Sequence, residues 1–180
     1  WQVVESLWAA KEHGLNRFVT EQPPYHILDR RIERGLIPMA QSYGIGIIPW
    51  SPLAGGLLTG KYARNQPAPA DSRFADYETT PRLRARMVEA LFDVVDGLQP
   101  LADAKGCTLS QLALAWCMNQ PGITSPIIGP RTMQQLEDNL GALPVSLSEE
   151  DHKVIDALVP PGRMVSPFYE ANFGPHPERW

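Results

Sequence analysis

Three short strand patterns, at residues 17–22, 45–50 and 124–128, are separated by stretches that read as amphipathic helices. Nothing else in the chain restricts its fold as tightly, because strands joined through helices pair in parallel by right-handed crossovers. The helices carry their own punctuation. Trp1, Val4, Leu7, Trp8 and Lys11 follow a three-and-four spacing, and Gly14 closes that first helix. A second is expected from Asp29, as N-cap, to Tyr43, with Ile32, Leu36, Met39, Ala40 and Tyr43 facing inward and a bend at Pro38. Thr80-Pro81 opens a helix expected to reach Lys105, weakened near its end by Gly97 and Pro100. Thr108 and Gln111 form a capping box, and Thr132 and Ser148 cap two more helices that end near Leu140 and Leu158. The fold class is therefore α/β. Three strands are few for a parallel sheet, both faces of which need cover. The chain also opens at Trp1, inside a helical pattern, so an N-terminal part is expected to precede it.

The run from Ile47 to Tyr62, IIPWSPLAGGLLTGKY, is the best candidate for function. Trp50 ends its strand where α/β folds place ligands. Its indole there can stack on a nicotinamide or flavin ring or on a sugar; packed between sheet and helix, it would be structural. Gly55, Gly56 and Gly60 let the backbone approach a ligand or hinge. Lys61 and Arg73 lie in the long loop 51–80, within reach of phosphates, although each alone also reads as a solvated surface charge. The spacing before Gly60-Lys61 is not that of a Walker phosphate loop.

Gly129-Pro130-Arg131-Thr132 joins the third strand to a helix start, where free N–H groups and the helix dipole favour a phosphate. Gln135, Asp138 and Asn139 follow Arg131 at i+4, i+7 and i+8, on one face, and can hydrogen-bond the adenosine part of a nucleotide. The plainer account is a capped helix with a polar outer face. Gln22 brings a carboxamide toward the mouth that Trp50 occupies. Tyr25 and His26 lie near it too, but no Lys or Asp is placed in sequence to tune them, and His13 and His152 fall near helix ends. No residue is assigned as catalytic and none as a metal ligand.

A net charge of -4 leaves no basic footprint for nucleic acid, and the clusters Arg30-Arg31 and Arg82, Arg84, Arg86 read as solvated helix faces. Cys107 and Cys117 lack metal or disulfide-motif spacing, which fits a reducing, cytoplasmic setting. No apolar run approaches the roughly 20 residues of a membrane span.

Three blocks together resemble one family: Glu21–Arg30 (EQPPYHILDR), Trp50–Tyr62 (WSPLAGGLLTGKY) and Ile127–Ala142 (IIGPRTMQQLEDNLGA). They are similar to the aldo-keto reductase superfamily of NADP(H)-dependent (β/α)8 barrels, in the branch that includes bacterial reductases and the β subunits of voltage-gated potassium channels. The resemblance covers about residues 1–158 and matches the family's C-terminal half. It implies a partial barrel, strands from the sixth onward, over residues 1–159, followed by an extended tail at 160–180.

By position, the resemblance puts Gln22 on the nicotinamide carboxamide and Trp50 on the nicotinamide ring. Ser51, Leu53 and Gly55 would line the pyrophosphate path, with Lys61 and Arg73 in a loop folded over it. Arg131 and Gln135 would hold the adenosine 2′-phosphate, favouring NADPH over NADH, and Asp138 and Asn139 the adenine. The family's catalytic Asp, Tyr, Lys and His belong to its first four strands and have no counterpart here. The implied reaction, reduction of an aldehyde or ketone to an alcohol by hydride transfer, is thus expected of a longer parent, and this chain alone is expected to be inactive. The alternatives are a non-catalytic NADPH-binding redox sensor or channel-type regulatory subunit, and a half-barrel that pairs with another copy. An open barrel exposes a sheet edge, so homo-oligomers are among the expected partners.

Overall fold

A computed structural model describes residues 1–165, and of residues 81 and 82 only the backbone. The tail residues Phe168, Tyr169, Phe173 and Pro175 lie outside the described residues. β1 (Thr20–Glu21) and β2 (Gly46–Ile47) pair in parallel, Thr20 opposite Gly46 and Glu21 opposite Ile47. Single parallel bridges extend the pairing: Pro24 with Trp50, Ile47 with Ile123 and Trp50 with Ile127. The expected third strand is therefore present as a parallel neighbour of β2 without a continuous ladder.

All three strand segments are shorter than the sequence pattern suggests, and proline explains it. Pro23, Pro24, Pro49 and Pro126 each withhold a backbone donor, so the ladder is continuous only at the residues before them and reduces to single bridges beyond. Trp50 N–H still reaches the Pro23 carbonyl at 3.0 Å, and Ile127 N–H the Pro49 carbonyl at 2.7 Å.

The helices are α1 (Gln2–Glu12), α2 (Leu36–Tyr43), α3 (Pro81–Arg84), α4 (Glu89–Ala104), α5 (Leu109–Met118), α6 (Met133–Leu140) and α7 (Glu149–Leu158). Two expectations change. The helix anticipated over 29–43 is a 3₁₀ turn (Arg31–Arg34) and then α2, interrupted at Gly35 (φ −150°, ψ −44°). Pro38 consequently falls in the first turn of α2, where its missing donor has no partner to lose, and it bends nothing. The helix anticipated over 80–105 is split into α3 and α4, with Val88 extended before α4. Within α4, Gly97 is a packing residue: a Cβ there would stand 2.6 Å from Leu158 Cδ2, so glycine lets α7 lie close.

The three caps form as the sequence indicates. Thr108 and Ser148 make reciprocal capping boxes with Gln111 and Asp151, and Thr132 accepts from the Gln135 N–H. α5 is apolar almost all round and is correspondingly buried, Trp116 and Leu112 completely. Around it packs the main core, which takes in Leu91 and Leu98 of α4 and also Leu57, Leu58, Tyr62 and Phe74 of the long loop. A fully buried side chain of this size is worth about 1.5–3 kcal/mol, so loop 51–80 is held by its own apolar anchors. A smaller core of Leu7, Ala40, Ile45 and Ile47 lies under α1 and α2. Among the described residues no helix is long and apolar enough to cross a membrane.

Candidate functional site

Beyond β2 the chain passes the bridged Trp50 and turns through a series of left-handed residues: Ser51 (φ 56°), Ala54 (φ 51°), Gly55 (φ 67°) and Gly56 (φ 104°). Left-handed backbone at the non-glycine positions costs on the order of 1 kcal/mol each, a strain that concentrates at ligand sites. At Gly56 the positive φ calls for glycine, and a Cβ there would stand 3.0 Å from the mobile end of Lys61. The loop then crosses to α6, where Arg131 Nη2 donates to the Asp71 carbonyl at 3.0 Å.

Between these walls lies a cleft of about 560 Å³. It is lined by Trp50, Ser51, Leu53, Gly55, Lys61, Arg73, Arg131, Gln135, Asp138 and Asn139, which is every residue that the resemblance assigns to the cofactor except Gln22. Gln22 is exposed at the end of β1, one strand over from Trp50, and does not line the cleft. Thr59, Ser72 and Ser110 also line it, and the sequence reading passed over them. Ser110 had a signal in the Thr108 cap, which fixes it in the first turn of α5; Ser72 had none.

The electrostatics of the cleft differ from those of the rest of the chain. Arg30, Arg31 and Arg64 all form ion pairs, whereas among the described residues Lys61, Arg73 and Arg131 form none. Lys61 Nζ lies 5.2 Å above the Tyr62 ring. Gln135 Oε1 accepts the Arg131 N–H at 2.7 Å, and Asp138 Oδ1 accepts from Thr108 Oγ1 at 3.1 Å. The cleft thus offers an indole at one end, three cations along its length and a carboxylate beside α6. That set suits an elongated ligand with a flat ring and several negative charges.

The other titratable candidates lie outside the cleft lining. Tyr25 is buried and donates to Glu33 Oε1 at 2.6 Å; burial first, and that carboxylate second, push its pKa far above the ordinary phenol value. Burial pushes His26 down to about 4, the Arg31 and Arg86 charges adding to this and Asp29 opposing it. Burial also pushes the Cys117 thiol up to about 12, as befits a core side chain. Among the described residues no cluster of His, Cys, Asp and Glu is arranged to hold a metal ion.

A sequence model of the aldo/keto reductase family matches residues 1–160, and the chain belongs to that family. Three of its relatives are as follows. A probable voltage-gated potassium channel subunit beta of Oryza sativa subsp. japonica is 39% identical over 161 residues, covering 88% of this chain and 49% of that protein. Another of that description, from Arabidopsis thaliana, is 39% identical over 145 residues, 80% of this chain and 44% of that protein. An uncharacterized oxidoreductase, YrpG, of Bacillus subtilis (strain 168) is 34% identical over 160 residues, 89% of this chain and 46% of that protein. The chain spans about half the length of the curated relatives it matches. The family implies a (β/α)8 barrel, and the parallel segments seen here are α/β in the same sense.

Proposed function

We propose that this chain forms the NADP(H)-binding part of an aldo/keto oxidoreductase that reduces aldehydes or ketones to alcohols in the cytoplasm. In this reading residues 1–159 are the C-terminal part of the (β/α)8 barrel and 160–180 its tail. The observation that carries it is the convergence of Trp50, Lys61, Arg73 and Arg131 on one cleft, with the three cations left unpaired by carboxylates among the described residues. Such a charge set fits a dinucleotide phosphate. Trp50 would seat the nicotinamide, and Ser51, Leu53 and Gly55 the pyrophosphate beneath Lys61 and Arg73. Arg131 and Gln135 would take the 2′-phosphate, and Asp138 and Asn139 the adenine. Gln22, at the neighbouring strand end, would reach the carboxamide from outside the lining.

When bound, NADPH supplies the hydride for the carbonyl carbon. The chain's own residues bind and orient. Loop 51–80, fixed by its buried Tyr62 and Phe74 and by the Arg131–Asp71 bond, keeps water from the phosphates. In this reading Lys61, which lines the cleft, is committed to the phosphates, and Tyr25 lies outside the lining and donates to Glu33. The chain alone is therefore expected to bind cofactor without turnover.

Calorimetric titration tests this: saturable one-to-one binding of NADPH is expected, with NADH at least about tenfold weaker for want of the 2′-phosphate. No binding of either would overturn it. A second reading, a channel-type regulatory subunit that uses NADPH as a ligand, is favoured by the names of the two plant relatives. Hydride turnover on small aldehydes by the longer parent supports the enzyme, and tight binding without turnover the subunit. Self-association through the exposed Phe18 and Val19, just before β1, belongs to either reading.

A further inference from the structure

Behind the cleft wall, the ends of α5 and α6 meet through one carboxamide. Gln111 Nε2 donates to Asp138 Oδ1 at 3.2 Å and to the Asp138 carbonyl at 3.0 Å, while its Oε1 accepts the Thr108 N–H at 3.0 Å. Asp138 Oδ1 also receives the Thr108 hydroxyl at 3.1 Å. One carboxylate oxygen is thereby pinned by two donors, and Oδ2 keeps acceptor capacity, with a single longer contact to Thr108 at 3.4 Å. Asp138 lines the cleft and Gln111 does not.

The room for this brace comes from Gly141. A Cβ there would stand 2.3 Å from Gln111 Nε2 and 3.0 Å from the Asp138 carbonyl oxygen. Its backbone is ordinary helix (φ −62°, ψ −10°), so glycine is needed for space and not for conformation.

We propose that Gln111, with Gly141 clearing its place, is a positioning residue that fixes the Asp138 carboxylate as an acceptor for the amino group of a purine, so that the cleft selects adenine over a 6-oxopurine. The proposal rests on the nucleotide reading above. An ionised carboxylate only accepts hydrogen bonds, so its complement is a donor. A ring carbonyl in place of the amine sets two acceptors against each other, and a site built to pair with a donor rejects the analogue that lacks it. A freely rotating Asp138 would discriminate poorly, because it could turn away from the mismatch into solvent.

The test compares binding of NADPH with that of its hypoxanthine counterpart, by calorimetry, in the unsubstituted chain, Gln111→Ala, Gly141→Ala and the double variant. The unsubstituted chain is expected to prefer NADPH by about tenfold, one charge-assisted hydrogen bond's worth. Gln111→Ala and Gly141→Ala should each weaken NADPH about fivefold and leave the hypoxanthine dinucleotide unchanged, a smaller loss than removing the carboxylate itself. Because removing Gln111 relieves the closest part of the Gly141→Ala clash and leaves only the 3.0 Å contact with the Asp138 carbonyl, the double variant should lie within about twofold of Gln111→Ala. Equal weakening of both dinucleotides would show a plain strut between helices and overturn the proposal, as would no change in either. If the unsubstituted chain binds neither dinucleotide, the nucleotide reading itself fails and this inference with it.

Discussion

Arg30 and Arg131 place the same guanidinium in two opposite settings. Arg30 is 3% exposed, donates to Glu33 Oε1 at 2.8 Å, Asp156 Oδ1 at 2.6 Å and the Val159 carbonyl at 2.7 Å, and lies 5.2 Å from the Trp116 ring centre. Burial opposes its charge, but the two carboxylates outweigh it and hold its pKa above the ordinary value. Glu33 in turn receives the Tyr25 hydroxyl and the Gly162 N–H, so this cluster fastens the chain after α7 to the loop after β1. Arg131 is exposed, and its guanidinium donates to a backbone carbonyl, that of Asp71. The contrast separates a cation spent on tertiary structure from one whose donors stay available to a ligand. The buried region tolerates charge only where it is fully matched.

Substituting the two arginines breaks or sharpens that contrast most strongly. Arg30→Met should cost about 3–5 kcal/mol, because Glu33 and the Val159 carbonyl lose their partner in a buried setting. Arg131→Met should leave stability within about 0.5 kcal/mol, as for most exposed positions. Urea denaturation midpoints check both, and similar losses at the two sites would abolish the distinction.

His26 tests how the buried region responds to an added charge. Its folded pKa of about 4 lies below the unfolded value of 6.5. Between those limits the unfolded chain binds a proton that the folded chain refuses. Stability is thus undiminished above pH 6.5 and falls by about 3 kcal/mol as the pH drops toward 4, at about 1.4 kcal/mol per pKa unit. Denaturation midpoints across that range should show the slope, and His26→Gln should flatten it; an unchanged slope in the variant would assign the acid sensitivity to other groups.

Smaller in free energy than the losses expected at Arg30 and His26 is the effect on binding at the rim. Arg131→Met should weaken NADPH about tenfold and NADH much less, since only the former carries the 2′-phosphate. Calorimetry with both dinucleotides reads this, and an equal loss for each would remove Arg131 from phosphate recognition.

What could be read without coordinates was mostly local. The caps at Thr108, Thr132 and Ser148 depend on residues three apart, and they form where the sequence places them. The breaks at Gly35 and at 85–88, like the shortness of the strands, depend on what neighbouring segments supply. Gly97 illustrates the limit: it reads as a weak point in a helix, yet it is the place where Leu158 packs. In the site, Trp50 was legible because it closes a strand pattern, and Arg131 because it lies in the turn between the next strand pattern and a capped helix start; the Trp50–Ile127 bridge sets those two segments side by side. The Gln111–Asp138–Gly141 brace was not, because it joins residues on different helices whose meeting no local spacing announces. Gln22 follows the expected strand end but lies outside the cleft lining.

A crystal structure of this chain grown with saturating NADPH tests the central claim most directly. The account predicts the nicotinamide ring against Trp50, the pyrophosphate beside Lys61 and Arg73, and the 2′-phosphate on Arg131. Density for the dinucleotide at any other surface, with the cleft between Trp50 and Arg131 holding only solvent, would contradict it.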